Sequence, residues 1–145
     1  MPMQNINAII STISKIHNGA NKLIIEELKK NNLNGLAPSH GDILIKLYNC
    51  ESAVSMREIS ECINKDKSTI TALVNKLEKL ELVKKLKSNT DNRSTLICLT
   101  KKGLDTKPIV LDKISTKLLE QSYKGFTKKE KEDLCLLLEK MKDNF

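Results

Sequence analysis

Residues 66–99 read DKSTITALVNKLEKLELVKKLKSNTDNRSTLICL, a stretch in which a helical pattern gives way to a strand pattern. In its first half, apolar residues recur at steps of three and four, which predicts one amphipathic helix over about 66–80. Asp66 stands directly before this helix and is a favourable N-cap. The second half holds two strand-like runs, 82–87 and 94–99, joined by the polar turn 88–92, and this predicts a β-hairpin.

A shorter helix precedes this stretch. Ser55 is a good N-cap for it, and Glu58 three residues later completes the pattern of a capping box. Asn64 and Lys65 then form a tight turn before the helix that begins after Asp66. Two helices joined by a tight turn, the second with a small-polar and basic outer face, are typical of a helix-turn-helix. The hairpin that follows would be its wing. The predicted fold is therefore mainly α with a small β-hairpin: a winged helix-turn-helix.

Helical patterns flank this unit on both sides. An apolar stripe over 6–28 predicts a long first helix ending in the turn-prone residues 31–35, and a second helix follows Pro38. After the hairpin, Pro108 should kink a helix or break off its early turn, and Thr127 with Glu130 forms a second capping box. We predict one domain over 1–145, with a winged-helix lobe at 36–100 and a helical dimerisation lobe made of 1–35 and 101–145. The terminal apolar stripes are too extensive for one small lobe to bury, which predicts a homodimer.

Composition narrows the class of protein. The chain has 145 residues, 39% hydrophobic and only 3% aromatic, which predicts one soluble domain with an aliphatic core. Neither a membrane-length apolar run nor an export leader is visible, so a cytoplasmic location is expected. The scattered cysteines are interpreted as small buried hydrophobes, and His17 and His40 as solvated or core residues. We expect neither a metal nor a cofactor, and find no motif that indicates an enzyme. The cysteines are Cys50, Cys62, Cys98 and Cys135.

The positive charge is concentrated in the helix and hairpin. The formal net charge is +7, and residues 65–93 carry eight basic and four acidic side chains. Such a surface suits a nucleic acid. Short polar groups on the outer face of the helix could reach base edges in a major groove, and Arg93 on the wing could enter a narrow minor groove. The candidate DNA-binding residues are Lys67, Ser68, Thr69, Thr71, Ala72, Asn75, Lys76, Lys87, Asp91, Asn92 and Arg93.

The stretch TITALVNKLEKLELVKKLKSNTDNRSTLICLTKKG, residues 69–103, resembles the signature of the MarR (multiple antibiotic resistance regulator) family, and the order of helices extends the resemblance over nearly the whole chain. The resemblance implies a homodimer joined by the first and the last two helices. It also implies a recognition helix at 66–80 and a wing arginine (Arg93) braced by Asp91. Proteins of this family bind a pseudo-palindromic DNA operator, usually to repress transcription, and a small ligand releases them from it. The positions that carry it are Thr69, Ile70, Leu77, Glu78, Glu81, Leu82, Val83, Asp91, Arg93, Thr100 and Gly103.

Two departures from the family pattern leave an alternative open. The family often carries Arg or Asn where this chain has Ala72, so a base contact is either lost or replaced by contact with a thymine methyl group. Asn92 stands where a second basic wing residue is common. These departures indicate altered sequence preference or weaker affinity. They also motivate the alternative of a winged-helix dimer that acts as a protein–protein interaction module without binding an operator.

Overall fold

A computed structural model describes residues 6–88 and 94–145. The chain is mostly helical with a small antiparallel sheet, which confirms the predicted fold class. A 3-10 turn at Ile6–Ala8 leads into the first helix, and a π-helical segment at Pro108–Ile114 leads into the sixth. The elements in chain order are α1 (Ile9–Lys30), α2 (Pro38–Tyr48), β1 (Val54–Ser55), α3 (Met56–Ile63), α4 (Lys67–Lys79), β2 (Val83–Lys87), β3 (Thr95–Leu99), α5 (Lys101–Asp105), α6 (Ser115–Ser122) and α7 (Lys128–Lys142).

The sheet has three strands in the order β1-β3-β2, and the sequence predicted only two of them. β2 and β3 form the expected hairpin, with Val83 opposite Leu99 and Lys87 opposite Thr95. β1 consists of two residues that pair with Leu96 and Ile97. A two-residue strand has no periodicity to detect, because its extended state depends on pairing with β3 rather than on its own sequence.

The core is aliphatic, as composition predicted. Side chains from α2, α3, α4 and the sheet meet there with almost no exposed surface, and α4 contributes Ile70, Val74 and Leu77. Tyr48 joins the core from α2, and its hydroxyl lies 2.6 Å from Thr106 Oγ1. That buried hydrogen bond connects the winged-helix part to the segment just before Pro108. The largest fully buried side chains are Leu28, Ile43, Leu44, Ile59, Ile70, Val74, Leu77, Leu82, Val83 and Ile97.

The boundaries of α3 and α4 are explained by local chemistry. The hydroxyl of Ser55 accepts the Glu58 backbone N–H at 3.1 Å, so half of the predicted capping box is formed, while the Glu58 carboxylate accepts from the Ser55 hydroxyl at 3.4 Å. Asn64 ends α3 with φ = 58°, the left-handed conformation that Asn tolerates well, and this confirms the tight turn. Asp66 then caps α4 by accepting the Thr69 N–H at 2.7 Å. That hydrogen bond holds the pKa of Asp66 below its usual value.

Pro108 separates two helical segments, as expected. α5 ends at Asp105 and the π-helical segment begins at Pro108, whose missing N–H is tolerated in a first turn. Further on, Thr127 and Glu130 form the predicted capping box, with reciprocal hydrogen bonds of 3.1 and 2.9 Å. The π-helical geometry of Pro108–Ile114 was not predicted, because sequence periodicity does not distinguish a wider turn from an α-helical one.

The terminal helices leave much of their apolar surface open. In α1, Leu28 is buried but Ile10 is 60% exposed, and α7 has no fully buried residue. Glu27 tethers α1 to α6, because its enclosed carboxylate accepts a hydrogen bond from Lys117 at 2.6 Å. That contact lowers the pKa of Glu27 against the opposing effect of burial. The apolar stripes predicted in these helices therefore exist, but only part of them lies inside the chain.

The cysteine interpretation was wrong for two positions. Cys62 and Cys135 are exposed, while Cys50 and Cys98 are half-buried, and all four are free thiols. Cys62 follows the core residue Ile59 by three positions in α3, but the helix turns it outward.

Within residues 6–88 and 94–145, every helix is too short or too polar to cross a membrane.

Candidate nucleic-acid interface

The outer face of α4 carries the polar groups that the sequence singled out. Lys67, Ser68, Thr69, Ala72 and Asn75 are exposed. Thr71 and Lys76 are half-buried at the two edges of this face. Because Ile70, Val74 and Leu77 are locked in the core on the opposite side, the helix cannot rotate about its axis. The packing of these three side chains therefore fixes which face of α4 meets solvent.

Internal hydrogen bonds organise the first turns of this face. The Ser68 hydroxyl donates to Asp66 Oδ1 at 2.9 Å, and the Thr71 hydroxyl donates to the Lys67 carbonyl at 2.8 Å. Both hydroxyl protons are thus used within the helix, while lone pairs on both oxygens remain available as acceptors. Asp66 and its neighbours consequently form an ordered start to the candidate interface.

The hairpin adds lysines beside α4. Lys84, Lys85 and Lys87 on β2 are exposed. The Lys85 ammonium donates a hydrogen bond to the side-chain oxygen of Asn75 and lies 3.5 Å from a carboxylate oxygen of Glu78. The hairpin is therefore joined to the C-terminal half of α4 by a charged group.

Sequence reasoning missed Lys85 as a site residue. The signal for it was the alternation of β2, which puts Lys85 and Lys87 on the same side of the strand as the buried Val83. That side of the strand faces the helices. Lys85 lies at the edge of the core and therefore contacts α4. Pairing register confirms the placement, since Lys85 stands opposite the fully buried Ile97.

An open groove of about 620 Å³ lies between α3, α4 and the hairpin. Arg57 on α3, Lys67 on α4 and Lys85 on β2 line it together with the acidic Glu61, so its lining carries a net positive charge. Arg57 Nε binds Glu61 at 3.1 Å, an exposed pair that contributes little to stability. Arg57 is a second cation that sequence reasoning did not assign to the site, since its position on α3 becomes relevant only when α3 and the hairpin flank one groove.

A shallow concavity on the other side of α4 contains His40. This buried histidine accepts the backbone N–H of Ala37 through Nδ1 at 2.8 Å and so caps the first turn of α2. Burial lowers the pKa of His40, which keeps the ring neutral at neutral pH.

His17 lies exposed on α1, where its Nε2 is 3.1 Å from Asn21 Nδ2. In the described part of the chain, no three His, Cys, Asp or Glu side chains are grouped closely enough to hold a metal ion.

Three of the predicted site residues, Asp91, Asn92 and Arg93, lie outside the described residues. Their roles in the wing stay predictions. The flanking strands are described, and they pair as far as Lys87 and Thr95. Lys87 is the last residue of β2, and it is exposed.

Comparison with protein families identifies the segment that contains this surface. The model of the MarR family matches residues 36–95, which include α2, α3, α4 and β2. This segment is a MarR-family domain. The resemblance stated from the sequence is thereby confirmed over residues 36–95.

Solved structures show the same fold over almost the whole chain. A MarR transcriptional regulator from Methanosarcina mazei Go1 has a TM-score of 0.83 at 23% identity, covering 95% of this chain and 96% of that one. A MarR protein from Peptoclostridium difficile DA00132 has a TM-score of 0.86 at 22% identity, covering 99% and 91%. A cysteine-to-serine mutant of MarR from E. coli, complexed with operator DNA, has a TM-score of 0.81 at 19% identity, covering 95% and 99%. Among curated protein sequences, none matches this chain significantly.

Proposed function

We propose that this MarR-family protein is a homodimeric, sequence-specific regulator that binds a pseudo-palindromic DNA operator and represses transcription there. One observation carries the proposal: the exposed polar face of α4 and the lysine-rich β2 lie side by side, joined by the Lys85–Asn75 hydrogen bond. Such a surface can place a helix in a major groove while the hairpin reaches the adjacent backbone and minor groove. A relative of the same fold from E. coli is known in complex with operator DNA, which supports DNA as the partner in this proposal.

We place the DNA contacts on the residues singled out from the sequence, together with Lys85 and Arg57. The small polar groups of α4 face the bases, and the lysines contact phosphates. Ala72 offers only a methyl group, which suits contact with a thymine methyl. Asp91, Asn92 and Arg93 complete the wing in this proposal.

The division into two lobes and the dimer belong to the same proposal. Residues 36–100 form the DNA-binding lobe, and 1–35 with 101–145 form the dimerisation lobe. Large apolar side chains on α1 and α7 are exposed in the single chain, Leu136 at 70% and Leu137 at 62%. A contiguous apolar surface of this kind indicates a protein partner, and a second copy brings two α4 helices to the two halves of one operator. Release by a small ligand is included on the strength of the family resemblance, and action in the cytoplasm is included as the location that the sequence pattern predicts.

Operator binding should depend steeply on salt. Fluorescence anisotropy against fragments from the promoter of its own or a neighbouring gene should show an affinity loss of about 100-fold or more between about 50 and about 200 mM salt, because several phosphates release counterions. A shuffled fragment of equal length and composition is the control, and it should bind more weakly. If no genomic fragment shows salt-sensitive binding, the alternative of a protein–protein interaction module is favoured instead.

Replacing Arg93 with alanine should weaken operator binding by about 1–3 kcal/mol, because the guanidinium that would enter a narrow minor groove is lost. The fold should remain intact. Lys124→Ala is the matched control, since it removes one positive charge from the exposed turn between α6 and α7. Both variants should melt as the wild type does. Equal operator affinity of Arg93→Ala and wild type would remove the wing tip from the mechanism.

A further inference from the structure

We propose that Lys85 sets the base preference of Asn75, turning it into a hydrogen-bond donor that selects guanine instead of adenine. The inference rests on the proposed function, because it concerns how the same surface reads an operator. Its basis is the hydrogen bond from Lys85 on the hairpin to Asn75 on α4. The sequence pattern of α4 alone does not predict this contact.

Asn75 belongs to the part of α4 that is available to DNA. It lies seven residues after Ser68, four after Thr71 and three after Ala72, so these four side chains share one side of the helix. Asn75 itself is exposed, and Val74 beside it is fully buried. A duplex that meets Ser68 and Ala72 would therefore also meet Asn75.

The atom of Asn75 that faces Lys85 is determined by chemistry. An ammonium group can only donate hydrogen bonds, so its partner in the carboxamide must be the oxygen, leaving the amide NH₂ free. The same ammonium also lies 3.5 Å from a carboxylate oxygen of Glu78, which is on α4 as well. The stem of Lys85 is fixed by β2, where it stands opposite the buried Ile97, and the side chain is only one-third exposed. The carboxamide is thus held in one orientation by a charged group.

This orientation changes what Asn75 can read. An asparagine recognises adenine through two bonds, with its oxygen accepting from N6–H₂ and its NH₂ donating to N7. Lys85 already engages one lone pair of this oxygen, so adenine N6–H₂ could reach only the second lone pair, beside the ammonium, and the positive charge disfavours that donor. Guanine presents two acceptors, O6 and N7, to the free NH₂ and to the remaining ammonium protons. The pair Asn75–Lys85 therefore suits guanine.

The hydroxyls nearby provide a useful contrast. Ser68 and Thr71 also donate their protons inside the protein, to Asp66 and to the Lys67 carbonyl. A hydroxyl proton rotates readily, so those bonds bias the reading of a base without determining it. Asn75 differs because reversing its amide would place NH₂ against an ammonium. The inference is therefore confined to Asn75.

The test compares operators selected from a randomised DNA library by the wild type and by Lys85→Met, at one fixed salt concentration. Asn75→Ala first identifies the operator position that depends on Asn75, because this variant should lose the base preference of the wild type at that position. At that position the wild type should select guanine, and Lys85→Met should shift the ratio of adenine to guanine upward by about tenfold, because the amide oxygen is released for a bidentate contact. Thermal melting confirms that each variant is folded.

Lys84→Met is the matched control, because it removes a charge from the adjacent position of β2, on the opposite side of the strand. It should weaken binding to all sequences alike and leave the base preference unchanged. A wild type and Lys85→Met with the same preference at the Asn75-dependent position overturn the inference while operator binding stands. A wild type with no sequence preference at all overturns both the proposed function and the inference.

Discussion

Replacing Gly103 with alanine should lower the free energy of unfolding by about 3 kcal/mol, the upper part of the range for overpacking a core. A Cβ at this position would lie 1.9 Å from the carbonyl oxygen of Leu82 and 3.1 Å from a methyl group of Leu99. The first contact is with backbone, which cannot be relieved by a side-chain rotation. Leu82 is itself fully buried, so the segment that leads into β2 would have to shift within the core.

The surrounding hydrogen bonds show why α5 must approach so closely. Thr100 donates its backbone N–H to Leu82 at 3.1 Å and its hydroxyl to Glu81 at 2.6 Å, while that hydroxyl oxygen accepts the Gly103 N–H at 3.0 Å. One residue thus caps α5 and fastens it to the end of α4. A Cβ on Gly103 would push α5 away and break this set of bonds, each worth about 0.5–1.5 kcal/mol.

Chemical denaturation at matched protein concentration measures the effect, since a dimer's apparent stability depends on concentration. Gly41→Ala is the control, because a Cβ there meets nothing within 4 Å and alanine is the better helix former inside α2. It should leave stability unchanged or raise it by up to about 1 kcal/mol. A Gly103→Ala protein within about 1 kcal/mol of wild type would contradict the packing described for α5.

Replacing Leu137 with glutamate should convert the proposed dimer into a monomer at micromolar concentration. Leu137 is 62% exposed in the single chain, beside the exposed Leu136 and Leu138 on α7. If a second copy covers this surface, each subunit would bury an unpaired carboxylate, at a cost of several kcal/mol per ion. The dissociation constant should rise by at least about 100-fold. Size-exclusion chromatography with light scattering gives the mass directly.

Leu86→Glu makes the same chemical change on the hairpin, where Leu86 is 43% exposed, and it should remain dimeric. Monomeric Leu137→Glu should also lose most operator affinity, because a pseudo-palindrome is read by two α4 helices held at a fixed distance. An unchanged mass for Leu137→Glu would exclude this part of α7 from the interface. A wild type that is already monomeric would remove the dimer from the proposal.

The winged helix could be predicted from the sequence because helix caps and apolar periodicity are local features of the chain. The caps of α3, α4 and α7 lie at Ser55, Asp66 and Thr127, where short polar side chains accept the first free N–H groups. The apolar steps of α4 identified both its buried side and, by exclusion, its outer face. Each of these features depends on residues within a few positions of one another, so the sequence pattern contains them.

The features that sequence reasoning missed depend on distant residues. β1 exists because β3 pairs with it, Glu27 is enclosed because Lys117 reaches it from 90 positions away, and Lys85 meets Asn75 only when the hairpin folds onto α4. The exposure of Cys62 and Cys135 likewise follows from how the helices pack. Such contacts reflect the relative placement of elements, which local periodicity does not encode.

By itself, then, the sequence determined which segments are helices and strands, where the main helices start, and which side of α4 is polar. Hydrogen bonding and hydrophobic periodicity act over three or four residues, so these features can be read directly along the chain. The tertiary structure alone decided which atom of Asn75 is free, why position 103 must be glycine, and how much of α1 and α7 remains uncovered. Each of these depends on what a second element leaves open or fills, and that is a property of packing in space.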